Sequence, residues 1–263
     1  MDFNEATLKE RLAGKLIGRQ VHFLEEIGST NDYAFKLAHD GAPEGAVVIA
    51  ESQTSGKGRM NRVWQSPPRR NLYTSIVFRP PVEPAAASQI TLVAGVAAAQ
   101  TLASYCPGRA AIKWPNDVMI GGRKACGILT EMKTAGNGVE FVVVGIGVNI
   151  NIRKEELDEA FREHSTSVRE EVGGPVSRLD MAVQLYENLE RLYARFIREG
   201  FAGIRQLWLD NTDMVGKAIR VAFRDDIKEG RVAGIDHDGA LLLGNNPGET
   251  VRIIAGDATI IKH

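Results

Sequence analysis

The sequence predicts an α+β fold, in which helices flank a mixed β-sheet and a small β-barrel follows at the C-terminus. Two observations indicate this. Between residues 21 and 208, apolar segments of strand length alternate with segments that carry apolar residues at helical spacing. From about residue 213, short strand-like segments separated by turn residues replace them, a pattern typical of a small barrel. We therefore place a domain boundary near residue 212 and expect domains at 1–212 and 213–263.

Local signals define the elements of the larger domain. Asn4 can cap a first helix, and residues 29–31 offer caps for a second. Pro115 stops a short strand because it lacks a backbone N–H. The predicted helices cover residues 4–14, 30–39, 88–105, 154–163 and 177–199, and a last one runs through Trp208. The predicted strands cover residues 21–27, 46–50, 72–78, 110–114 and 139–150, with a hairpin over 118–130.

The smaller domain consists of short strands. Asp238-Gly239 and the segment 245–248 supply turn residues between them. The predicted strands of this part cover residues 217–224, 230–236, 240–243 and 250–254. No internal repeat or low-complexity tract interrupts either part.

Composition excludes several classes of protein. The chain has 263 residues, a net charge of −1 and 44% hydrophobic residues, which are values of a globular protein and not of a disordered one. A protein that relies on nonspecific nucleic-acid binding would be more basic. We expect no membrane span, because no segment of the chain approaches 18 uninterrupted apolar residues. We expect no secretory signal, because the N-terminus has no basic start followed by an apolar block. Two cysteines, Cys106 and Cys126, favour a reducing compartment, so we expect a cytoplasmic protein.

The first candidate functional segment is a basic loop within residues 51–71, which is rich in Gly, Ser, Pro and Arg. From Ser52 to Val82 there are six basic residues and no acidic one. Gly56 and Gly58 flank Lys57, so the backbone there can approach a ligand closely. Such a loop is either a solvated basic surface or a cradle for a phosphate or carboxylate.

The second candidate is the segment from Lys113 to Asp117. Strand alternation places Lys113 on the face opposite Ile112 and Trp114. A lysine in an otherwise apolar strand must pair with an anion or reach water, and both alternatives fit this position. Glu131 also has two possible interpretations, as a catalytic base or as a solvent-facing strand residue. Standard phosphate-loop and dinucleotide motifs are absent, and the five histidines lack metal-ligand spacing.

Four segments together resemble the catalytic domain of biotin–protein ligases. They are Glu26-Ile-Gly-Ser-Thr-Asn31, Gln53-Thr-Ser-Gly-Lys-Gly-Arg-Met-Asn-Arg62, Lys113-Trp-Pro-Asn-Asp117 and Gly145-Ile-Gly-Val-Asn149. The stretch from Arg123 to Gly127 is also similar to the family at that place. The resemblance covers residues 21–152 and extends more loosely into the C-terminal part. It implies the class II synthetase-like fold of biotin and lipoate ligases with an SH3-like C-terminal barrel.

The resemblance also implies a reaction. Biotin and ATP would give biotinyl-5′-AMP and pyrophosphate, with Mg²⁺ on the nucleotide. The biotinyl group would then pass to one lysine of a biotin carboxyl carrier protein. Since two anions meet in the first step, catalysis would depend on positive charge and alignment.

The residues that match the family's site are assigned by resemblance alone. Lys113 and Arg59 would be catalytic, and no residue is assigned as a metal ligand. The biotin-binding set would be Ser29, Thr30, Asn31, Gln53, Lys57, Gly58, Arg59, Lys113, Gly145 and Gly147, the two last leaving room for the ring system. The nucleotide-binding set would be Arg59, Arg62, Trp64, Lys113 and Asn149, with Trp64 packing on adenine. Lys57 stands where many members have arginine, which would impair a bidentate contact there.

Three alternatives remain beside this reading. A lipoate–protein ligase shares the fold, a noncatalytic biotin-binding regulator would bind biotin without chemistry, and a DNA-binding repressor needs a winged helix-turn-helix. The 28 residues before Ser29 are too few for that module, so we expect the monofunctional class, with no DNA binding and no membrane partner. Family members often form homodimers. We further expect the loop over about 54–70 to be poorly ordered without ligand and to close over the adenylate, because its positive charges repel one another.

Overall fold

Two β-sheets with helices packed against the larger one make up the fold of the computed structural model, which describes residues 2–224, 226–246 and 249–261. Seven strands form the central sheet in the order β1-β2-β3-β7-β6-β5-β4. The first two strands pair in parallel and the other pairs are antiparallel, so the predicted mixed sheet is confirmed. These strands are β1 Gln20–Ile27, β2 Ala46–Gln53, β3 Leu72–Phe78, β4 Ala110–Lys113, β5 Asp117–Ile120, β6 Arg123–Ala135 and β7 Gly138–Val148.

The helices flank the sheet as predicted. They are α1 Glu5–Arg11, α2 Thr30–His39, α3 Pro84–Ala87, α4 Ile90–Tyr105, α5 Glu159–Arg162, α6 Val168–Val172, α7 Arg178–Glu199 and α8 Ala202–Asp210. α7 is amphipathic because Leu185, Leu189 and Leu192 recur on one face, which is buried. α4 is apolar on nearly all sides because it lies between the sheet and α7. By length and composition the segment Pro84–Tyr105 could cross a membrane, but 72% of it is buried inside the protein, as in the core helix of a globular domain.

The predicted helix over 154–163 is wrong. The chain forms a single 3₁₀ turn at Lys154–Glu156 and then the four-residue α5. Leu157, between the two, is drawn into the core at 5% exposure, and Asp158 caps α5 by accepting the backbone N–H of Ala160. The backbone of Leu157 and Asp158 is extended, with ψ of 138° and 136°, and this interrupts the helix.

The C-terminal part is a five-stranded antiparallel sheet in the order β11-β10-β9-β8-β12. Its strands are β8 Ala218–Phe223, β9 Asp226–Ile235, β10 Leu241–Asn246, β11 Glu249–Ile253 and β12 Asp257–Ile260. In the described ranges β11 and β12 do not pair, so no closed barrel forms. Residues 254–256, which join these two edge strands, reach only about 13 Å, so the sheet must curl until its edges approach each other. The sequence did not predict β12, which brings Asp257 to the site described below.

The 110–114 segment contacts the C-terminal sheet and the residues that lead into it. The indole Nε1 of Trp114 donates to the backbone carbonyl of Gly239 at 3.3 Å, and the backbone N–H of Ile112 donates to Asn211 at 2.7 Å. Both Trp114 and Ile112 are buried, which confirms the strand alternation that turns Lys113 the other way. The C-terminal sheet therefore packs beside the strand end that carries Lys113.

Candidate functional site

A cavity of about 850 Å³ opens over the middle of the central sheet. Its walls are the N-terminus of α2, the basic loop, the strand ends around Lys113, the segment 157–165 and β12. All thirteen residues that the resemblance assigned to the site line this cavity: Ser29, Thr30, Asn31, Gln53, Lys57, Gly58, Arg59, Arg62, Trp64, Lys113, Gly145, Gly147 and Asn149. Four separate sequence segments thus meet at one place.

Buried polar side chains form the floor of the cavity near α2. The Asn31 amide donates to the Glu131 carboxylate at 2.8 Å and to the Leu129 carbonyl at 3.2 Å. The Ser75 hydroxyl lies 2.7 Å from the amide oxygen of Asn31 and 2.9 Å from the Thr30 hydroxyl. Ser75 is fully buried, and Asn31 and Thr30 are almost so, which makes these hydrogen bonds costly to lose.

Gln53 extends this network toward the basic loop. Its side-chain oxygen accepts the backbone N–H of Thr30 at 2.9 Å, and its amide donates to the Ser66 hydroxyl at 2.9 Å. Ser66 in turn donates to the carbonyl of Trp64 at 3.0 Å. The position of Trp64 is therefore tied through Gln53 to the N-terminus of α2.

The two glycines of β7 make room for protein side chains. A Cβ on Gly145 would lie 2.0 Å from the amide oxygen of Asn31, and one on Gly147 would lie 2.6 Å from the Trp64 indole. Gly145 pairs with Ser75 on one side and with Leu129 on the other, so the Asn31 amide lies across this row of the sheet. We expected these glycines to leave space for the ring system of a ligand. In the structure the space directly above them is occupied by the side chains of Asn31 and Trp64.

The cations of the basic loop are paired with carboxylates. Lys57 contacts Asp32 at 2.6 Å, and this hydrogen bond raises the pKa of Lys57. Arg59 and Arg62 both pair with Asp257 of β12, and Arg59 also donates to the Asn116 side chain at 3.1 Å. Two further pairs, Arg69 with Glu25 and Arg70 with Glu156, lie at the far end of the loop. These carboxylates offset the repulsion among the positive charges of the loop. Charge repulsion alone therefore does not predict a poorly ordered loop in the absence of ligand.

Lys113 differs from the loop cations. Its half-buried side chain lines the cavity at the end of β4. Over residues 2–224, 226–246 and 249–261 no carboxylate lies within ion-pair distance of it. The neighbouring strand's Asp117, which pairs with Lys113 in register, forms its ion pair with Lys124 at 2.6 Å. A half-buried lysine without a carboxylate is suited to an anionic ligand.

Trp64 and Asn149 also line the cavity, beside the C-terminal end of β7. The Trp64 ring packs against the backbone of Gly127 and Gly147, and the ammonium of Lys124 lies 5.4 Å from its centre. The Asn149 amide donates to the Thr166 carbonyl at 3.1 Å, and its oxygen faces the Asn71 amide at 3.4 Å. This end therefore has an aromatic surface beside a fixed amide group.

Sequence reasoning missed several residues of the site. No sequence pattern indicated that Ser75 belongs to the site, since a serine in an apolar strand is also common in an ordinary protein core. Asp257 lies in the unpredicted β12, 195 residues from Arg62. Lys124 could have been found, because it belongs to the Arg123–Gly127 stretch. Glu131, which was left open, is half-buried and accepts a hydrogen bond from the Asn31 amide.

One cluster outside the cavity has metal-like residue types. Asp236, His237 and Asp238 lie close together on a turn of the C-terminal sheet. Arg252 pairs with both aspartates and offsets part of their charge. We assign no metal to this cluster.

Comparisons with known proteins agree with this geometry. Residues 23–149 match the biotin/lipoate A/B protein ligase family, and residues 215–259 match the biotin protein ligase C terminal domain. The chain is 36% identical over 231 residues to the biotin–[acetyl-CoA-carboxylase] ligase of Paracoccus denitrificans, covering 87% of this chain and 95% of that protein. It is 32% identical over 245 residues to the bifunctional ligase/repressor BirA of Bacillus subtilis, covering 93% of this chain and 75% of that protein.

Solved structures share the fold. The biotin protein ligase from Aquifex aeolicus in complex with biotin and ATP superimposes with a TM-score of 0.79 at 23% identity, over 93% of this chain and 100% of that chain. The Leishmania major biotin protein ligase in complex with biotinyl-5-AMP gives a TM-score of 0.61 at 22% identity, over 90% and 99% of the two chains.

Proposed function

The chain belongs to the biotin protein ligase family, and we propose that it activates biotin with ATP and then biotinylates a carrier protein. In the first step the biotin carboxylate attacks the α-phosphate of ATP, which gives biotinyl-5′-AMP and releases pyrophosphate. In the second step the neutral amine of one lysine on a biotin carboxyl carrier protein attacks the acyl carbon, and AMP leaves. The observation that carries the proposal is the cavity in which all thirteen assigned residues meet around Lys113.

Biotin fits the end of the cavity near α2. Its uncharged ureido head needs neutral donors and acceptors in a buried slot, and Thr30, Asn31 and Gln53 provide them there. Ser29 and the backbone of Lys57 and Gly58 complete the lining. A site made of buried polar groups disfavours ligands that leave those groups unpaired.

The reacting atoms belong beside Lys113. We assign to Lys113 the contact that bridges the biotin carboxylate and the α-phosphate, because among the described lysines that line the cavity it is the one without a carboxylate partner. Arg59 is the second catalytic residue, and Arg62 joins it on the phosphates. When the triphosphate binds, it would share these two cations with their present partner, Asp257. Such fixed cations stabilise charge that develops in the transition state.

The adenine fits the end of the cavity formed by Trp64 and Asn149. The exposed face of the indole supplies a stacking surface, and Asn149 supplies a fixed polar group. We assign Mg²⁺ to the nucleotide and not to a protein site, because the carboxylate beside the loop arginines is already their partner. The metal would neutralise the leaving pyrophosphate.

The remaining assignments are part of the same proposal. Domains at 1–212 and 213–263 are supported by family matches that end at residue 149 and resume at residue 215. A cytoplasmic location is supported by the free, buried cysteines Cys106 and Cys126. Homodimer formation and the absence of DNA binding stay predictions, to be checked by the mass of the protein in solution and by a gel-shift assay.

The test combines binding with chemistry. Biotin, and not lipoate, should raise the melting temperature of the purified protein. With ATP and biotin present, a biotin carboxyl carrier domain should gain one biotinyl group. Preferential stabilisation by lipoate would favour the lipoate ligase, and stabilisation by biotin without transfer would favour a noncatalytic biotin-binding regulator.

A further inference from the structure

We propose that Gln65 is a positioning residue for ATP, and that it acts by holding Leu157 in the wall of the cavity beside Trp64. Its side-chain amide joins the basic loop to residues 154–163. The inference rests on the proposed function, in which the nucleotide binds next to Trp64. It adds two residues of the cavity lining to which the sequence assigned no role.

The amide of Gln65 binds the backbone on both sides of Leu157. Its nitrogen donates to the Glu156 carbonyl at 2.9 Å, and its oxygen accepts the backbone N–H of Asp158 at 2.9 Å. A flipped amide would place nitrogen against N–H and oxygen against carbonyl, so the two bonds fix its orientation. One residue of a parallel β-strand pairs with its neighbour in this way, which matches the extended backbone of Leu157, with ψ of 138°. We call these two bonds the Gln65 bridge.

The Gln65 bridge supplies a contact that α5 cannot make for itself. Asp158 is the N-cap residue of α5. In a capping box, a glutamate or glutamine at the third helical position accepts the N–H of the cap residue. α5 has Phe161 at that position, and Gln65 accepts this N–H instead. The basic loop thus provides a cap for the first turn after the extended residues.

No other hydrogen bond joins residues 59–66 to residues 154–163 in the part of the chain that the structure describes. The backbone N–H and carbonyl of Leu157 form their hydrogen bonds within the segment 154–163. Further along the basic loop, the exposed Arg70 pairs with the Glu156 carboxylate, and Arg70 does not line the cavity. The backbone around Leu157 is therefore held to the neighbourhood of Trp64 by Gln65.

Loss of the bridge should affect the nucleotide more than biotin. Trp64 precedes Gln65 in the chain, and both Trp64 and the buried Leu157 line the cavity. Hydrogen bonds from Gln53 to Ser66 and from Ser66 to the Trp64 carbonyl hold the loop side of this region without help from Gln65. Without the bridge the loop side stays in place, and the wall that carries Leu157 can move away from the nucleotide.

The experiment measures KM for ATP in biotin-dependent pyrophosphate exchange. Gln65→Met removes both hydrogen bonds and keeps a side chain of nearly the same length. A neutral hydrogen bond contributes about two- to tenfold to an equilibrium constant, so KM for ATP should rise by about tenfold. The exchange kcat, and the Kd of biotin measured by calorimetry without nucleotide, should stay within about threefold of wild type.

Two control variants isolate the role of the amide. Gln184→Met changes a half-buried glutamine of α7 that accepts from Ser104 and lies outside the cavity lining. Arg70→Gln removes the ion pair with Glu156 and leaves the Gln65 bridge intact. KM for ATP should stay within about threefold of wild type in both controls.

A double variant tests whether Gln65 acts through Leu157. Leu157→Ala removes most of the side chain that the bridge positions, so it should raise KM for ATP by itself. Adding Gln65→Met to it should then change KM by less than about twofold, because the two residues form one unit. Effects that multiply in the double variant would overturn the role of Leu157.

The outcomes separate this inference from the proposed function. Wild-type protein without biotin-dependent exchange would refute the proposed function. Exchange in wild-type protein, with KM for ATP within about threefold of it in Gln65→Met, would overturn the inference alone. An equal rise in either control, or an equal loss of biotin affinity in Gln65→Met, would overturn it too. If Leu157→Ala does not fold by circular dichroism, the substitution of the half-buried Gln65 decides the matter.

Discussion

Substitution of Gly145 by alanine should damage both the stability of the protein and its binding of biotin. The new Cβ would lie 2.0 Å from the amide oxygen of Asn31 and 2.8 Å from its amide carbon. Ordinary contact distances are above about 3 Å, so the Asn31 side chain has to move by more than about 1 Å. Such a shift breaks the 2.7 Å bond from Ser75 and the 2.8 Å bond to Glu131.

The magnitude follows from those two bonds. A buried polar group left without its partner costs about 1–3 kcal/mol, so loss of both bonds should lower the free energy of unfolding by about 2–6 kcal/mol. For a chain of this length that corresponds to a fall in melting temperature of about 5–15 °C. The affinity for biotin should fall as well, because the Asn31 side chain, which lines the cavity, is displaced.

The assay is urea denaturation followed by a calorimetric titration with biotin. Gly138→Ala is the matched control, since it lies on the same strand and its new Cβ would have no neighbour closer than 3.8 Å. We expect the control to be within about 1 kcal/mol of wild type. A Gly145→Ala protein as stable as the control, with unchanged biotin affinity, would refute the role of Asn31 in both stability and binding.

Three other predictions concern charge and the basic loop. Lys113→Ala should retain its fold and lose adenylate formation by about 100-fold or more, measured as pyrophosphate release, because its cation faces the reacting anions; near-normal release would remove its assigned role. The backbone N–H of Arg153, helped by the Arg70 side chain, lowers the pKa of Glu156 from 4.5 to about 2. Because the folded-state pKa is the lower one, this carboxylate stabilises the protein above pH 4.5, and the contribution is lost as the pH falls toward about 2. Glu156→Gln should therefore lose less stability than wild type over that acid range in urea titrations, and identical curves would contradict this. Limited proteolysis should cut the loop at 54–70, where Met60 and Val63 are exposed, faster without than with biotin plus ATP; equal rates would refute loop closure.

The sequence predicted those parts of the site that depend on local pattern. Alternation along the 110–114 strand places Lys113 opposite the buried Ile112 and Trp114, and the structure confirms this. Glycines beside Lys57 indicated close backbone approach, and that segment does line the cavity. These features can be predicted from local sequence alone, because they depend only on the two-residue period of a strand and on the conformational freedom of glycine.

Other parts depend on long-range register and could not be predicted from local pattern. The contact of Gly145 with Asn31 exists because β3, β7 and β6 align Ser75, Gly145 and Leu129 in one row. Asp257 meets the basic loop only because the C-terminal sheet curls and brings β12 to the cavity. The predicted helix over 154–163 is wrong because the backbone of Leu157 and Asp158 is extended, and the helical spacing of the segment does not indicate that break.

The central claim is that this cavity joins biotin to AMP with the help of Lys113. Exchange of labelled pyrophosphate into ATP tests it most directly, since the exchange requires the adenylate to form and to reverse. We predict exchange that depends on biotin in wild-type protein and is lost in a folded Lys113→Ala variant. Biotin binding without any biotin-dependent exchange in wild-type protein would contradict the claim.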